Sequence, residues 1–105
     1  MSNNYENIDS NKIVFCGSLE SSDCLVTIEP NNDNKVNISI ESPFIRQFGK
    51  RIKKLCLDIL QERNITTCNL VIQDQGAIDE VIKSRIVTAL DRLTKNIEIL
   101  NSENK

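Results

Sequence analysis

Val36-Asn37-Ile38-Ser39-Ile40-Glu41-Ser42-Pro43-Phe44-Ile45-Arg46-Gln47-Phe48 is the stretch in which the hydrophobic period changes. Up to Glu41 the apolar side chains Val36, Ile38 and Ile40 alternate with Asn37, Ser39 and Glu41, the signature of a strand with one polar face. Beyond Ser42-Pro43 the spacing becomes helical. Ile45, Phe48, Ile52, Leu55 and Ile59 recur at intervals of three and four, and Cys56 and Leu60 widen the stripe. Ser42 suits the N-cap and Pro43 the first helical position. Gly49 weakens this helix by ~1 kcal/mol relative to alanine and is expected to mark a close contact with a neighbouring element.

Reading outward toward the N-terminus, Cys24, Val26 and Ile28 alternate with Leu25, Thr27 and Glu29 and end at Pro30 and the turn formers Asn31 to Asn34. Two such runs joined by such a turn predict a hairpin. Lys12 to Cys16 is a shorter β-prone run. Toward the C-terminus, Thr67 to Gln73 reads as a strand and Asp74-Gln75-Gly76 as a turn. A second helix opens at Ala77 or Ile78, with Ile78, Ile82, Ile86, Ala89 and Leu93 on one face and Val81 and Leu90 beside it. Residues 1–11 read as a flexible N-terminal segment, 12–100 as the folded domain and 101–105 as a polar tail. The expected fold is α+β: one small domain in the order β-β-β-α-β-α, one sheet packed against two helices.

The 105 residues carry 13 Lys+Arg and 15 Asp+Glu, a net charge of −2, which argues against a polybasic nucleic-acid binder. No apolar run reaches the ~20 residues needed to cross a bilayer. The start of the chain has no charged-then-apolar leader pattern, so a cytoplasmic protein without membrane contact is expected. Charge is uneven: residues 1–41 sum to −5, while residues 42–64 sum to +4 through Arg46, Lys50, Arg51, Lys53, Lys54 and Arg63. That basic helix face is either a solvated surface or a contact for phosphate or an acidic partner. A nucleic-acid or protein-interaction module using this face is the alternative from another functional class. Aromatic residues at 4% offer few stacking platforms for RNA.

There is no histidine, so the commonest general base and the commonest metal ligand are both missing. Cys16, Cys24, Cys56 and Cys68 form no C-x-x-C pair, which leaves no zinc set. Their apolar neighbours mark them as inert core thiols, although Cys16 and Cys24 could face each other across a hairpin. Independent catalysis and a metal site are therefore not expected. The segment Gly17-Ser18-Leu19-Glu20-Ser21-Ser22-Asp23 sets three hydroxyls in one loop between strands. A serine lacking a local base is no nucleophile in its own right, but on an exposed loop it can be modified by an enzyme that supplies the base.

That loop, continuing into Leu25-Val26-Thr27-Ile28-Glu29-Pro30, resembles the N-terminal segment of the citrate lyase acyl carrier proteins, the gamma subunits of that complex. Gln47-Phe48-Gly49 and Asp74-Gln75-Gly76-Ala77-Ile78-Asp79 agree in the same order, and the likeness runs from about Val14 to about Leu93. The family's carrier serine follows a Leu-Glu pair, here Ser21, and the next position, Ser22, varies between Ser and Gly in the family. The resemblance implies that Ser21 bears a 2'-(5''-phosphoribosyl)-3'-dephospho-CoA arm through a phosphodiester bond, attached by a prosthetic-group transferase. It implies partners in a hetero-oligomer, an alpha acyl transferase subunit and a beta lyase subunit. Between them the arm's thiol would present acetyl and citryl thioesters as citrate is cleaved to acetate and oxaloacetate. The chain would be a non-catalytic carrier. The malonate decarboxylase carrier subunit is similar in kind and stands second. The Asp-Ser-Leu start of a helix typical of fatty-acid carriers is missing. Glu20 and Asp23 would form an acidic rim for docking or merely solvate the loop, and Arg51, Lys53 and Lys54 would lie near the arm's phosphates or against a partner.

Overall fold

The computed structural model describes residues 12–103, with side chains described through residue 94. The expected flexible segment at residues 1–11 and positions 104–105 of the expected tail lie outside the described residues. Six elements follow in the expected order: β1 (Val14–Gly17), β2 (Cys24–Glu29), β3 (Val36–Glu41), α1 (Ile45–Glu62), β4 (Cys68–Asp74) and α2 (Asp79–Glu103).

Period-two alternation puts Cys24, Val26 and Ile28 of β2 on one sheet face, together with Val14 and Cys16 of β1 and Cys68, Leu70 and Ile72 of β4. The two helices cover that face. α2 lies over β1 and β2 with Ile82, Ile86, Ala89, Leu90 and Leu93, and α1 lies over β3 with Ile52, Cys56, Ile59 and Leu60. The opposite face is left uncovered: on the central strands Leu25, Thr27, Asn69 and Val71 are half-buried by their neighbours in the sheet, and on the edge strand β1 Phe15 is exposed. This is the expected α+β sandwich.

The expected β2–β3 hairpin does not form. The strand order is β1-β2-β4-β3, with β1–β2 and β2–β4 antiparallel and β3–β4 parallel. β4 lies between β2 and β3, and its alternate residues Cys68, Leu70 and Ile72 are as completely buried as Cys24, Val26 and Ile28 of β2, as befits the two central strands, whereas the edge strand β3 is only partly buried. β3, α1 and β4 thus make a parallel unit joined by a helix, the connection parallel strands require. β2 and β3 are two strand spacings apart, roughly 10 Å, so the six residues 30–35 form a bridge across the start of β4 and not a tight turn. Polar side chains fasten the bridge. Asn31 Nδ2 donates to Asn69 Oδ1 at 2.8 Å and to the Lys35 carbonyl at 3.2 Å, Asn37 Nδ2 donates to the same Asn69 oxygen at 2.9 Å, and Cys68 N–H donates to the Lys35 carbonyl at 3.3 Å.

Other expectations are corrected at element ends. α1 starts at Ile45, with Phe44 at the N-cap, because Ser42 and Pro43 lie in a preceding turn. The Ser42 hydroxyl accepts the Phe44 N–H at 3.0 Å and donates to Asp74 Oδ2 at 2.8 Å, so it ties that turn to β4 instead of capping the helix. The first turns of both expected apolar stripes are exposed: Ile45 and Phe48 on α1, and Ile78, 62 % exposed, just ahead of α2. They extend past the end of the sheet, where no strand meets them. A Cβ on Gly49 would meet the Ile45 side chain of its own helix at 3.0 Å, not a neighbouring element. Cys16 faces Val26 in the ladder, not Cys24, and all four cysteines are free and buried.

Leu70→Ala, on the central strand, is expected to lower the unfolding free energy by about 2–5 kcal/mol, whereas Leu57→Ala, on the exposed face of α1, should stay within about 0.5 kcal/mol of wild type. Urea unfolding of the two variants checks both the burial of β4 and the direction in which α1 faces.

Candidate functional site

The loop from Ser18 to Asp23 closes the β1–β2 hairpin at the end of the sheet where β3 and β4 finish and both helices begin. Its entry is set by Gly17, whose φ of +105° is favoured only by glycine. A Cβ there would lie 1.9 Å from the Cys24 carbonyl oxygen and 3.2 Å from the Arg85 Cδ, so the two strands and α2 converge on a position with room for hydrogen alone.

Asp23 organises the interior of the loop. Its carboxylate accepts the Ser18 hydroxyl at 2.7 Å, the Cys24 N–H at 2.7 Å, and Arg85 Nε and Nη2 at 2.9 and 3.1 Å, a two-pronged guanidinium–carboxylate pair. The Arg85 hydrogen bonds, followed by that from Ser18, hold the Asp23 carboxyl down at about 2, against an ordinary 3.8. With its side chain only 17 % exposed, Asp23 is not the free rim carboxylate expected for docking, and Glu20 alone of that pair remains exposed. Ser18 is structural as well: it is half-buried and its oxygen also accepts the Glu20 N–H at 3.2 Å.

The tip is a four-residue turn, Glu20-Ser21-Ser22-Asp23, closed by the Asp23 N–H donating to the Glu20 carbonyl at 3.1 Å. Ser22 has φ +68° while Ser21 stays in the ordinary region, the pattern of a type II turn, whose third residue is best supplied by glycine. Ser22 N–H donates to the Gln75 carbonyl at 2.8 Å and Gln75 N–H to the Asp23 carbonyl at 2.9 Å, so the tip is also pinned to the turn after β4. Both Ser21 and Ser22 are exposed, and among the described residues neither hydroxyl has a hydrogen-bond partner. Their backbones differ, since Ser22 is held down by Gln75 and Ser21 sits at the outer corner.

Beside this turn is a cleft of about 280 Å³ between the starts of α1 and α2. Phe44, Phe48 and Arg51 line one side and Gly76, Ala77 and Ile78 the other. The Arg51 guanidinium lies 4.6 Å from the centre of the Phe48 ring, and its Nε is 3.3 Å from Asp79 Oδ1. Asp74, 3 % exposed, also lines the cleft and accepts the Ser42 hydroxyl at 2.8 Å and the Ala77 N–H at 2.9 Å. Of the basic residues singled out in the sequence, Arg51 reaches this end of the molecule, whereas Lys54 pairs with Asp58 on its own helix at 2.9 Å. Lys53 is exposed and has no ion pair among the described residues.

The cysteines offer no competing chemistry. Burial pushes the Cys24 and Cys56 thiols up to about 12 and raises that of Cys68, so none of these three is a ready thiolate, and Cys16 is buried in the same core. Among the described residues no group of three acidic or cysteine side chains could hold a metal ion, and no helix is long and apolar enough to cross a membrane.

Because the folded value for Asp23 lies below the ordinary one, its contribution to stability is complete above about pH 4 and is lost as pH falls from 4 toward 2. Asp23→Asn should lower the melting temperature at pH 7 and flatten the acid limb of the stability profile over that window. Thermal melts at a series of pH values check this, and an unchanged acid limb would count against the Arg85 pair.

A protein-family model described as ACP, the malonate decarboxylase delta subunit (MdcD), matches residues 11–93. The citrate lyase acyl carrier protein of Treponema denticola is 42% identical over 77 residues, which span 73% of this chain and 86% of that protein. That of Vibrio cholerae is 40% identical over 86 residues, 80% of this chain and 88% of its own length. The Clostridium perfringens protein of the same name is 37% identical over 84 residues, 80% and 83% of the two chains. An exposed serine corner on a braced hairpin, in a chain without histidine, suits a protein that holds a group for other enzymes. The chain belongs to the citrate lyase acyl carrier protein family, and is a carrier and not itself a catalyst.

Proposed function

We propose that Ser21 is the attachment point of a phosphoribosyl-dephospho-CoA arm, and that this chain presents acyl groups on that arm to the transferase and lyase subunits of a citrate-cleaving complex. The observation behind this reading is the division of labour within the Ser18–Asp23 loop. The Ser18 hydroxyl is consumed by Asp23 and the Glu20 N–H; of the two exposed serines whose hydroxyls have no partner among the described residues, Ser22 is tied through its backbone and Ser21 stands at the corner.

The residues present fit such a group. A phosphodiester needs an oxygen that can be approached from solvent and a backbone that tolerates a bulky substituent, and both hold at the outer corner of the turn. No histidine exists to activate the hydroxyl, and the Asp23 carboxylate is occupied by Arg85, so deprotonation of Ser21 falls to a separate attachment enzyme. When bound, the arm supplies the thiol used in acyl transfer. The chain's own share is positional: Gly17, Asp23 and Arg85 fix the base of the loop, Gln75 fixes its tip, and the tether raises the effective concentration of the acyl group at each partner site. All the relatives named above carry the citrate lyase designation, which favours citrate cleavage. The malonate decarboxylase description of the family model supports a second reading, a carrier for that decarboxylase.

Variants incubated with the attachment enzyme and its nucleotide donor, followed by intact mass, test the site. Ser21→Ala should gain no mass. Ser22→Gly should load fully and be as stable as wild type or more so by up to about 1 kcal/mol, since glycine relieves the left-handed backbone. Loading of Ser21→Ala, or its loss in Ser22→Ala, would move the site. Turnover of the loaded chain with citrate lyase or malonate decarboxylase partners separates the two readings.

A further inference from the structure

We propose that the cleft between the starts of α1 and α2 is the resting seat of the adenine nucleotide end of the arm. This rests on the assignment of Ser21 as the attachment point and adds a second site to it. Three observations converge. The cleft is adjacent to the attachment turn: Ser22 and Gln75 are hydrogen-bonded, and Gly76 lines the opening. With consecutive Cα atoms ~3.8 Å apart, Ser21 and Gly76 are separated by roughly 12 Å or less, a short span for an arm of this kind.

Its volume of about 280 Å³ is just below the ~300 Å³ at which ligand pockets usually begin, and suits one ring system rather than an extended chain. Its lining is mixed in the way a purine nucleotide requires. Phe48, 37 % exposed, offers a ring for stacking, with Phe44 at 6.3 Å centroid separation behind it and Ile78 opposite. Arg51, whose side chain is 56 % exposed, offers a cation at the mouth for phosphate. Asp74 is almost wholly buried, and only Ser42 and Ala77 donate to it among the described residues, so its carboxylate retains acceptor capacity for an exocyclic amine. A purely apolar occupant, such as a leucine side chain from a partner, would make no use of the remaining acceptor capacity of Asp74 or of the Arg51 guanidinium, which is held at the mouth by Asp79 and the Phe48 ring.

Loaded protein, with the arm located on Ser21 by mass, and unmodified protein are compared by nitrogen–proton NMR. Seating predicts shifted amides at Gly76, Ala77 and Ile78, and cross-relaxation between adenine protons and the Phe48 ring. Phe48→Ala and Arg51→Gln, both at exposed positions, should erase these signals while the mass on Ser21 stays. Free 3'-dephospho-coenzyme A titrated into unmodified protein should perturb the same amides, about tenfold more weakly in Phe48→Ala. Its hypoxanthine analogue, which lacks the exocyclic amine, should bind more weakly. If the mass is on Ser21 but the shifts stay within residues 18–23, the seat is wrong and the attachment stands. If no mass is on Ser21, the attachment reading fails and the titration alone decides the cleft. Cleft shifts that arise only when a partner subunit is added would overturn the proposal in favour of a protein contact.

Discussion

Four donors converge on the Asp23 carboxylate, and the functional end of the molecule depends on that convergence. Ser18 reaches it from the start of the loop, Cys24 from the first residue of β2, and Arg85 with two nitrogens from the second turn of α2. Without it, the loop would keep the hydrogen bonds of a hairpin turn but lose its link to the helix layer. Gly17 makes the convergence possible, because any side chain there would collide with the Cys24 carbonyl. The two-pronged guanidinium–carboxylate pair fixes where the loop sits against α2, because both nitrogens must meet the carboxylate in one orientation. Definition of one geometry is what the proposed attachment loop would require.

Core and site divide the chain cleanly. The covered face of the sheet, with Val26, Ile28, Leu70 and Ile72 against Ile82, Ile86 and Leu90, supplies the burial that makes a chain of 105 residues fold. The four cysteines belong to it, and their desolvated thiols stand apart from any acyl chemistry. Past the end of the sheet the same periodic stripes continue outward as Ile45, Phe48 and Ile78, now exposed, and Phe48 and Ile78 line the cleft beside the Ser18–Asp23 loop with Phe44. On the proposed reading, a rigid platform at one end combined with a long tether would let one carrier visit several active sites without rearranging its own fold.

Much of this was legible in the sequence, and the reasons differ by feature. Alternation at Cys24–Glu29 and three-four spacing from Ile45 to Leu60 encode local structure directly, so the elements and their order follow from the residues. The placement of β4 between β2 and β3 is a competition for the central slot of the sheet, and neither strand's pattern records its neighbour. Asp23 looks like any loop carboxylate in one dimension, because its partner Arg85 is 62 residues away. Phe48 and Ile78 satisfy the helical period but lie beyond the sheet that would bury them, which periodicity alone does not measure. Ser42 has the chemistry of a cap yet is claimed by Asp74. At Ser22, the positive φ is a backbone state that glycine adopts more readily than serine, and nothing in the local pattern records it.

The most direct test is peptide mapping by tandem mass spectrometry of the chain isolated from its own cells while they cleave citrate. The account predicts one added phosphoribosyl-dephospho-CoA mass, linked through phosphate, with fragment ions that place it on Ser21. Fragments that carry it on Ser22 or Ser18, or a loop that remains unmodified in those cells, would contradict it.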